Sequence, residues 1–232
     1  MELDLHREIL SALEYIFAGK REVKLHNDHK GMPVSFPAVI LSFKDAGVVF
    51  KTNKYQLACL ALEKHTFIQS DLLPSIVKAR LIDMDFSHAE VILQNFSYTV
   101  STIGKREFIR VQPPESIQAV LDHQAHKIKA RVVDISEGGL GLVTIGGNIY
   151  SPGLLRRGSS VMVVLRLPGE SAETFLAGAI RNLAKGSELG SYRLGIQNSP
   201  NSQAREAIAR FISARKTKIL AELDSLYTQL SK

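Results

Sequence analysis

Two arginines four residues apart, Arg106 and Arg110, stand in the segment KREFIRV, and downstream the chain reads DISEGGLG, placing Asp134, Ser136 and Gly139 in a DxSxxG pattern. A guanidinium is a planar fork of donors that grips a phosphate or the O6/N7 edge of guanine in bidentate fashion and also stacks on a base. A carboxylate accepts from the N1 and N2 donors of guanine. Glycines beside it, Gly138 and Gly139, admit a flat ligand to the backbone without a Cβ in the way. The combined chemistry suits a guanine nucleotide carrying phosphate. Each half also has a plainer reading: the arginines as a solvated (i, i+4) pair beside Glu107, and Asp134 with Ser136 as a β-turn whose side chains satisfy local backbone.

The elements that must position these groups follow from periodicity. Residues 3 to 18 space Leu3, Ile9, Leu10, Leu13, Ile16 and Phe17 as one apolar face of a helix, ended by Gly19 and Lys20. EVKLHN, PVSFPAVILSF and VVFKTN predict strands, with Pro33 and Pro37 placing their part at an edge or bulge. A helix over Tyr55 to Lys64, a strand at TFIQS and a hairpin of Ser75 to Asp85 with Ala89 to Tyr98 complete a small antiparallel β domain with two helices. From Ser97 to Pro114 the pattern weakens into a linker that carries both arginines and that ligand is expected to order. Strands are then expected at Ile117 to Leu121, Ile128 to Ile135, LGLVTI, Ser160 to Leu167, Thr174 to Asn182 and Ser191 to Gln197. Their spacing predicts a closed antiparallel barrel. Asn201 or Ser202 caps a last helix reaching about Leu230, whose seam of Ile208, Ile212, Ile219, Leu223, Leu226 and Leu230 is interrupted by Arg215. That seam packs on the chain's own barrel or, alternatively, forms a homodimer. The fold class expected is mainly β, two small barrel domains with an N-terminal and a long C-terminal helix. Its boundaries are 1–100, a linker at 101–114, a barrel at 115–200 and a helix at 201–232.

At 232 residues, 45% hydrophobic and 22% charged, the chain has material for two domains with their own cores. No apolar run is long enough for a membrane span and the N-terminus is acidic and amphipathic, so a cytoplasmic location is expected. The lone Cys59, in the apolar run LACLAL, reads as a buried thiol in a reduced compartment. Residues 1–100 hold 11 Lys+Arg against 12 Asp+Glu, whereas 101–232 hold 18 against 11. A basic second half fits an anionic partner: a dinucleotide, nucleic acid or an acidic protein surface.

Taken together, Arg106, Arg110, Asp134, Ser136 and Gly139 resemble the RxxxR and DxSxxG signature of PilZ domains, and the later YRLGI resembles a late-strand pattern of that family. The resemblance covers roughly residues 104 to 200 and implies a six-stranded barrel that binds the bacterial second messenger cyclic di-GMP without enzymatic activity. It implies that Arg106 and Arg110 clamp the phosphates, with Asp134, Ser136 and Gly139 completing the site. Lys105 stands where the family varies and bears on whether one or two nucleotides bind. The first hundred residues resemble the N-terminal domain of flagellar-brake-type proteins, which implies a protein effector such as the flagellar motor or a polysaccharide synthase, and so an output in motility or biofilm.

Other chemistries find little support in the residues. His26/His29 and His123/His126 have a spacing used by metal ligands, but no cysteine or acidic cluster completes a site. Asp83 and Asp85 read as solvated strand-end acids rather than a catalytic pair. GLGLVT has Thr144 where a dinucleotide fingerprint needs its third glycine, and no GxxxxGK[ST] occurs. A single-strand nucleic-acid barrel needs aromatics interleaved with Lys/Arg, against 7% aromatics and no Trp here. A PilZ scaffold acting only through protein would be expected to lack the arginines.

Overall fold

In the computed structural model, residues 2–99, 107–124, 126–144, 155–186 and 190–232 are described. They fall into two compact units, one of residues 1–29, 33–106 and 219–232, the other of residues 30–32 and 107–218. Among the described residues the chain is mainly β: two closed six-stranded antiparallel barrels with three helices.

In the first unit α1 (Glu2–Ala18) buries Ile9, Leu13 and Ile16 completely. The three- and four-residue spacing aligns them on one face, and each contributes about 1.5–3 kcal/mol of transfer free energy. The helix stops where Gly19 N–H returns to the Tyr15 carbonyl at 3.1 Å and Lys20 turns left-handed. β1 (Glu22–His29), β2 (Met32–Lys44), β3 (Gly47–Lys51), β4 (His65–Gln69), β5 (Ile76–Asp85) and β6 (Glu90–Thr99) close in the order β1-β2-β3-β6-β5-β4. Between β3 and β4 lies α2 (Lys54–Glu63), capped by Asn53 Oδ1, which accepts from Gln56 N–H at 3.0 Å. Its run Gln56–Leu60 is wholly buried, and the one polar member is held: Gln56 Nε2 donates to Asn27 Oδ1 at 2.6 Å. Phe50, Leu25, Leu57, Ile68 and Leu93 belong to the same core.

β2 runs through both prolines: β3 pairs only with Val39–Lys44, so Pro33 and Pro37 lie at an edge on that side, as expected, and the bulge falls past them between Ile40 and Ser42. Pro33 and Pro37 therefore cost no hydrogen bond to β3. Ser97 to Thr99 belong to β6 rather than to a linker, since Lys78, Val77 and Ile76 of β5 pair with them in register.

In the second unit β7 (Gln118–His123), β8 (His126–Ser136), β9 (Gly139–Thr144), β10 (Ser160–Leu165), β11 (Thr174–Lys185) and β12 (Tyr192–Asn198) close in the order β10-β11-β12-β9-β8-β7. Along β8, Ile128, Ala130 and Val132 are buried while Lys127, Lys129 and Arg131 are exposed, the period of two expected of a barrel wall. A bulge between Val132 and Asp134 then shifts that phase by one residue. The last helix, α3 (Ser202–Leu230), begins where Asn201 Oδ1 accepts from Ala204 N–H at 2.8 Å. Ile208, Phe211 and Ile212 are buried in the second unit, Ile219 and Leu223 in the first, and Leu230 is exposed. In the first unit Tyr227 Oη donates to the Phe86 carbonyl at 3.0 Å and Lys54 pairs with Asp224. Among the described residues no helix is long and apolar enough to cross a membrane.

Candidate functional site

The bulge in β8 decides where the acidic motif points. Without it, the alternation through Ile128, Ala130 and Val132 would carry Asp134 into the barrel. With it, Ile135 faces inward and is fully buried, and Asp134 lies outside. The direction is confirmed by Gly141, the register partner of Asp134 on β9: a Cβ there would stand 2.8 Å from Asp134 Cγ and 3.0 Å from Oδ1, so the carboxylate leans over a glycine. Its side chain is 16% exposed.

Arg110 reaches the same place. Its Nη1 lies 4.0 Å from Asp134 Oδ1, with the arginine side chain 48% exposed. A pair this long and this open to water contributes little to stability and leaves most of the five guanidinium donors available. The backbone behind Arg110 is held firmly. Val111 N–H donates to the Ile135 carbonyl at 2.9 Å and the Val111 carbonyl accepts from Ile135 N–H at 3.0 Å, so the residue after Arg110 is bridged to the residue after Asp134. Arg215, only 4% exposed, donates from Nε to the Gln112 carbonyl at 2.9 Å. This explains the interruption of the helical seam: the charge is buried to grip the arginine-bearing segment. Val111 and Gln112 are thus tied to β8 and to α3 by these hydrogen bonds. Lys105 and Arg106 lie outside the described residues.

The turn after β8 is braced from within. Ser136, almost buried, donates from Oγ to the Gly139 carbonyl at 3.1 Å, and Asn198 N–H donates to the Gly138 carbonyl at 3.2 Å. Ser136 therefore spends its proton on the turn and keeps acceptor capacity only. A Cβ on Gly139 would collide with the Ile196 backbone carbonyl, so this glycine permits β9 to close on β12. A Cβ on Gly138 would meet the Phe108 ring at 2.5 Å. Phe108, between the two arginines in sequence and 38% exposed, thus lies against the turn whose glycines suggest close approach by a ligand. Phe108, Gly141 and Arg215 are the contributors that motif spacing missed. An aromatic inside the RxxxR segment and a charge inside a helical seam were the available signals.

Residues 104–214 match the family model described as PilZ domain. The chain carries a PilZ domain. Its barrel, β7 to β12, holds Asp134, Ser136, Gly138 and Gly139 on β8, β9 and the turn joining them. No curated protein matches the chain. Among solved structures, the chain is similar to Escherichia coli YcgR in complex with c-di-GMP, at 12% identity and TM-score 0.43, covering 94% of this chain and 93% of that one. It is similar to the Bacillus subtilis inhibitor of motility MotI/DgrA at 13% identity and TM-score 0.42, over 85% and 96% of the two chains. The K. pneumonia MrkH–c-di-GMP complex matches at 14% identity and TM-score 0.44, over 94% and 96%.

The histidine pairs make different contacts. His123 Nδ1 lies 2.8 Å from the Ser160 carbonyl and His29 Nδ1 lies 4.0 Å from Glu63 Oε1. Among the described residues no group of three His, Cys, Asp or Glu side chains is placed to hold a metal. Asp85 serves the β5–β6 hairpin, accepting from Ser87 N–H at 2.8 Å and pairing with His88 Nδ1 at 2.7 Å.

Proposed function

We propose that this chain is a non-enzymatic bacterial receptor for cyclic di-GMP that works in the cytoplasm. The observation that carries the reading is Arg110 held 4.0 Å from Asp134 on the outer wall of the PilZ barrel, a cation for phosphate beside an acceptor for guanine. Arg106 and, more peripherally, Lys105 add cationic charge to the same ligand. Asp134 accepts from guanine N1–H and N2–H, while Ser136, Gly138 and Gly139 form the turn on which the nucleotide rests. In this reading residues 101–114 act as the linker through which nucleotide alters the arrangement of the two domains. The output is control of a protein target governing flagellar motility or exopolysaccharide production.

Calorimetric titration of the full chain with cyclic di-GMP tests the proposal. Wild type is expected to bind at micromolar concentration or tighter. Arg110→Ala, which removes charge-assisted hydrogen bonds of about 1.5–3 kcal/mol, should weaken binding by roughly 10- to 100-fold. Absence of wild-type binding, or an Arg110→Ala protein that binds as well as wild type, contradicts it.

A further inference from the structure

The helix that follows the second barrel carries its charge unevenly. Between Ser202 and Lys218, α3 holds Arg205, Arg210, Arg215, Lys216 and Lys218 against the single acid Glu206. Part of this helix borders a cavity of about 290 Å³, which it lines with Phe211 and Ala214. Pro114 and the β10–β11 turn at Pro168 line the cavity as well, and Arg210 and Lys218 bring cations to it. Ala214, Pro114 and Pro168 are exposed. Open apolar surface rimmed by charge is the mark of an interaction site.

The walls of this groove are held without help from a partner. Gly169 takes the left-handed φ of 85° that a Pro-Gly turn demands, and Glu170 N–H closes the turn on the Leu167 carbonyl at 3.1 Å. Pro114 follows the segment that Arg215 grips through the Gln112 carbonyl. Arg210 shows what the rim accepts. Its Nε and Nη2 donate to one oxygen of Glu170, Oε1, at 3.1 and 2.9 Å, and its Nη1 stands 3.9 Å from Glu206 Oε2. With its side chain 60% exposed, the guanidinium keeps capacity for a further carboxylate. Glu170 thus acts as an internal acid of the kind an external segment would bring. A nucleic acid fits the groove less well, because Phe211, at 8% exposure, offers too little ring to stack a base.

We propose that this groove docks an acidic segment of a partner protein. The assignment rests on the receptor reading above, in which a protein target is controlled, and gives that target a surface and a chemistry. One large apolar side chain of the segment seats against Ala214, Phe211 and the two prolines. Its flanking carboxylates go to Lys218 and to Arg210, where they compete with Glu170. Burial of the apolar anchor supplies the affinity, and the cations select the sign of the partner.

The test is amide chemical-shift mapping of the full chain with three probes: the peptide acetyl-Glu-Asp-Leu-Phe-Glu-Asp-amide, its counterpart acetyl-Lys-Lys-Leu-Phe-Lys-Lys-amide, and a thymidylate dodecamer. The acidic peptide should move Gly169, Glu170, Phe211, Ala214 and Lys218, and the basic peptide should leave them in place. Ala214→Trp fills the groove from an exposed helix position and should abolish those shifts. Glu170→Gln removes the internal competitor and should tighten the acidic peptide about two- to fivefold, the worth of an exposed ion pair. Both variants are checked for an unchanged circular dichroism spectrum. Absent shifts with the acidic peptide, equal shifts with the basic one, tighter binding of the dodecamer at the same amides, or Ala214→Trp behaving as wild type overturns the docking site. Glu170→Gln binding no more tightly than wild type overturns the competition at Arg210. Titration of the same samples with cyclic di-GMP keeps the two readings apart. Nucleotide bound beside a silent groove leaves the receptor assignment standing, a groove occupied without nucleotide binding removes that assignment alone, and neither bound removes both.

Discussion

Gly139 illustrates how one residue serves two demands. As part of DxSxxG it suggests close approach by a ligand, yet its missing Cβ is needed first by the Ile196 carbonyl across the β9–β12 seam. Gly139→Ala should therefore destabilise the barrel even without nucleotide, by about 1–3 kcal/mol as for other overpacked sites, measured by urea denaturation. An unchanged midpoint would show that the close approach is not rigid. Ser136 was readable as a motif member but not as the brace of its own turn, because both roles require the same residue. At the far hairpin, the hydrogen bond and charge of Asp85 raise the pKa of His88, and His88 in turn holds the Asp85 carboxyl below its ordinary value. The raised histidine adds stability below its unfolded value that is lost as pH rises through the folded one. The lowered aspartate adds stability above its unfolded value that is lost as pH falls through the folded one, so the pair acts between those limits. A proton NMR titration should place His88 above an ordinary histidine, and Asp85→Asn should return it there. An unshifted His88 in wild type contradicts the pairing.

At the scale of elements, most strands and the three described helices were legible because their signals are local: spacing in α1, an Asn cap on α3, alternation along β7 and β8. The bulges were not. They depend on which residue of a partner strand stands opposite, as in the shift between Val132 and Asp134, and no property of β8 alone reveals it. That non-local detail sets the direction of the central acid, so the motif could be recognised before its geometry could be derived. Arg215 is the same lesson in a helix: its place in an apolar seam was visible, but its partner, the Gln112 carbonyl, lies 103 residues away. Arg215→Met removes a buried donor and should cost about 2 kcal/mol of stability. It should also speed hydrogen exchange at the Val111 amide. Exchange unchanged at Val111 would mean that α3 does not hold the arginine-bearing segment.

For the whole molecule, composition indicated two domains, and two barrels with separate cores are found. The division of α3 was beyond reach of the sequence, since the helix contributes residues through Lys218 to one unit and from Ile219 to the other. Cys59 offers a reporter for the first barrel: burial, and secondarily Glu63, push its thiol up to about 12, and it has no exposed surface. It should resist a thiol reagent at neutral pH and react only as fast as the barrel opens. Rapid labelling of the native protein would show that α2 leaves its place readily. The account as a whole stands on nucleotide binding to the outer wall of the second barrel. Amide chemical-shift mapping of the full chain with cyclic di-GMP should show the largest changes at Arg110 and Val111, from Asp134 to Gly141, and at Arg193 to Gln197. Shifts confined to residues 22–99, or none at saturating nucleotide, would contradict it.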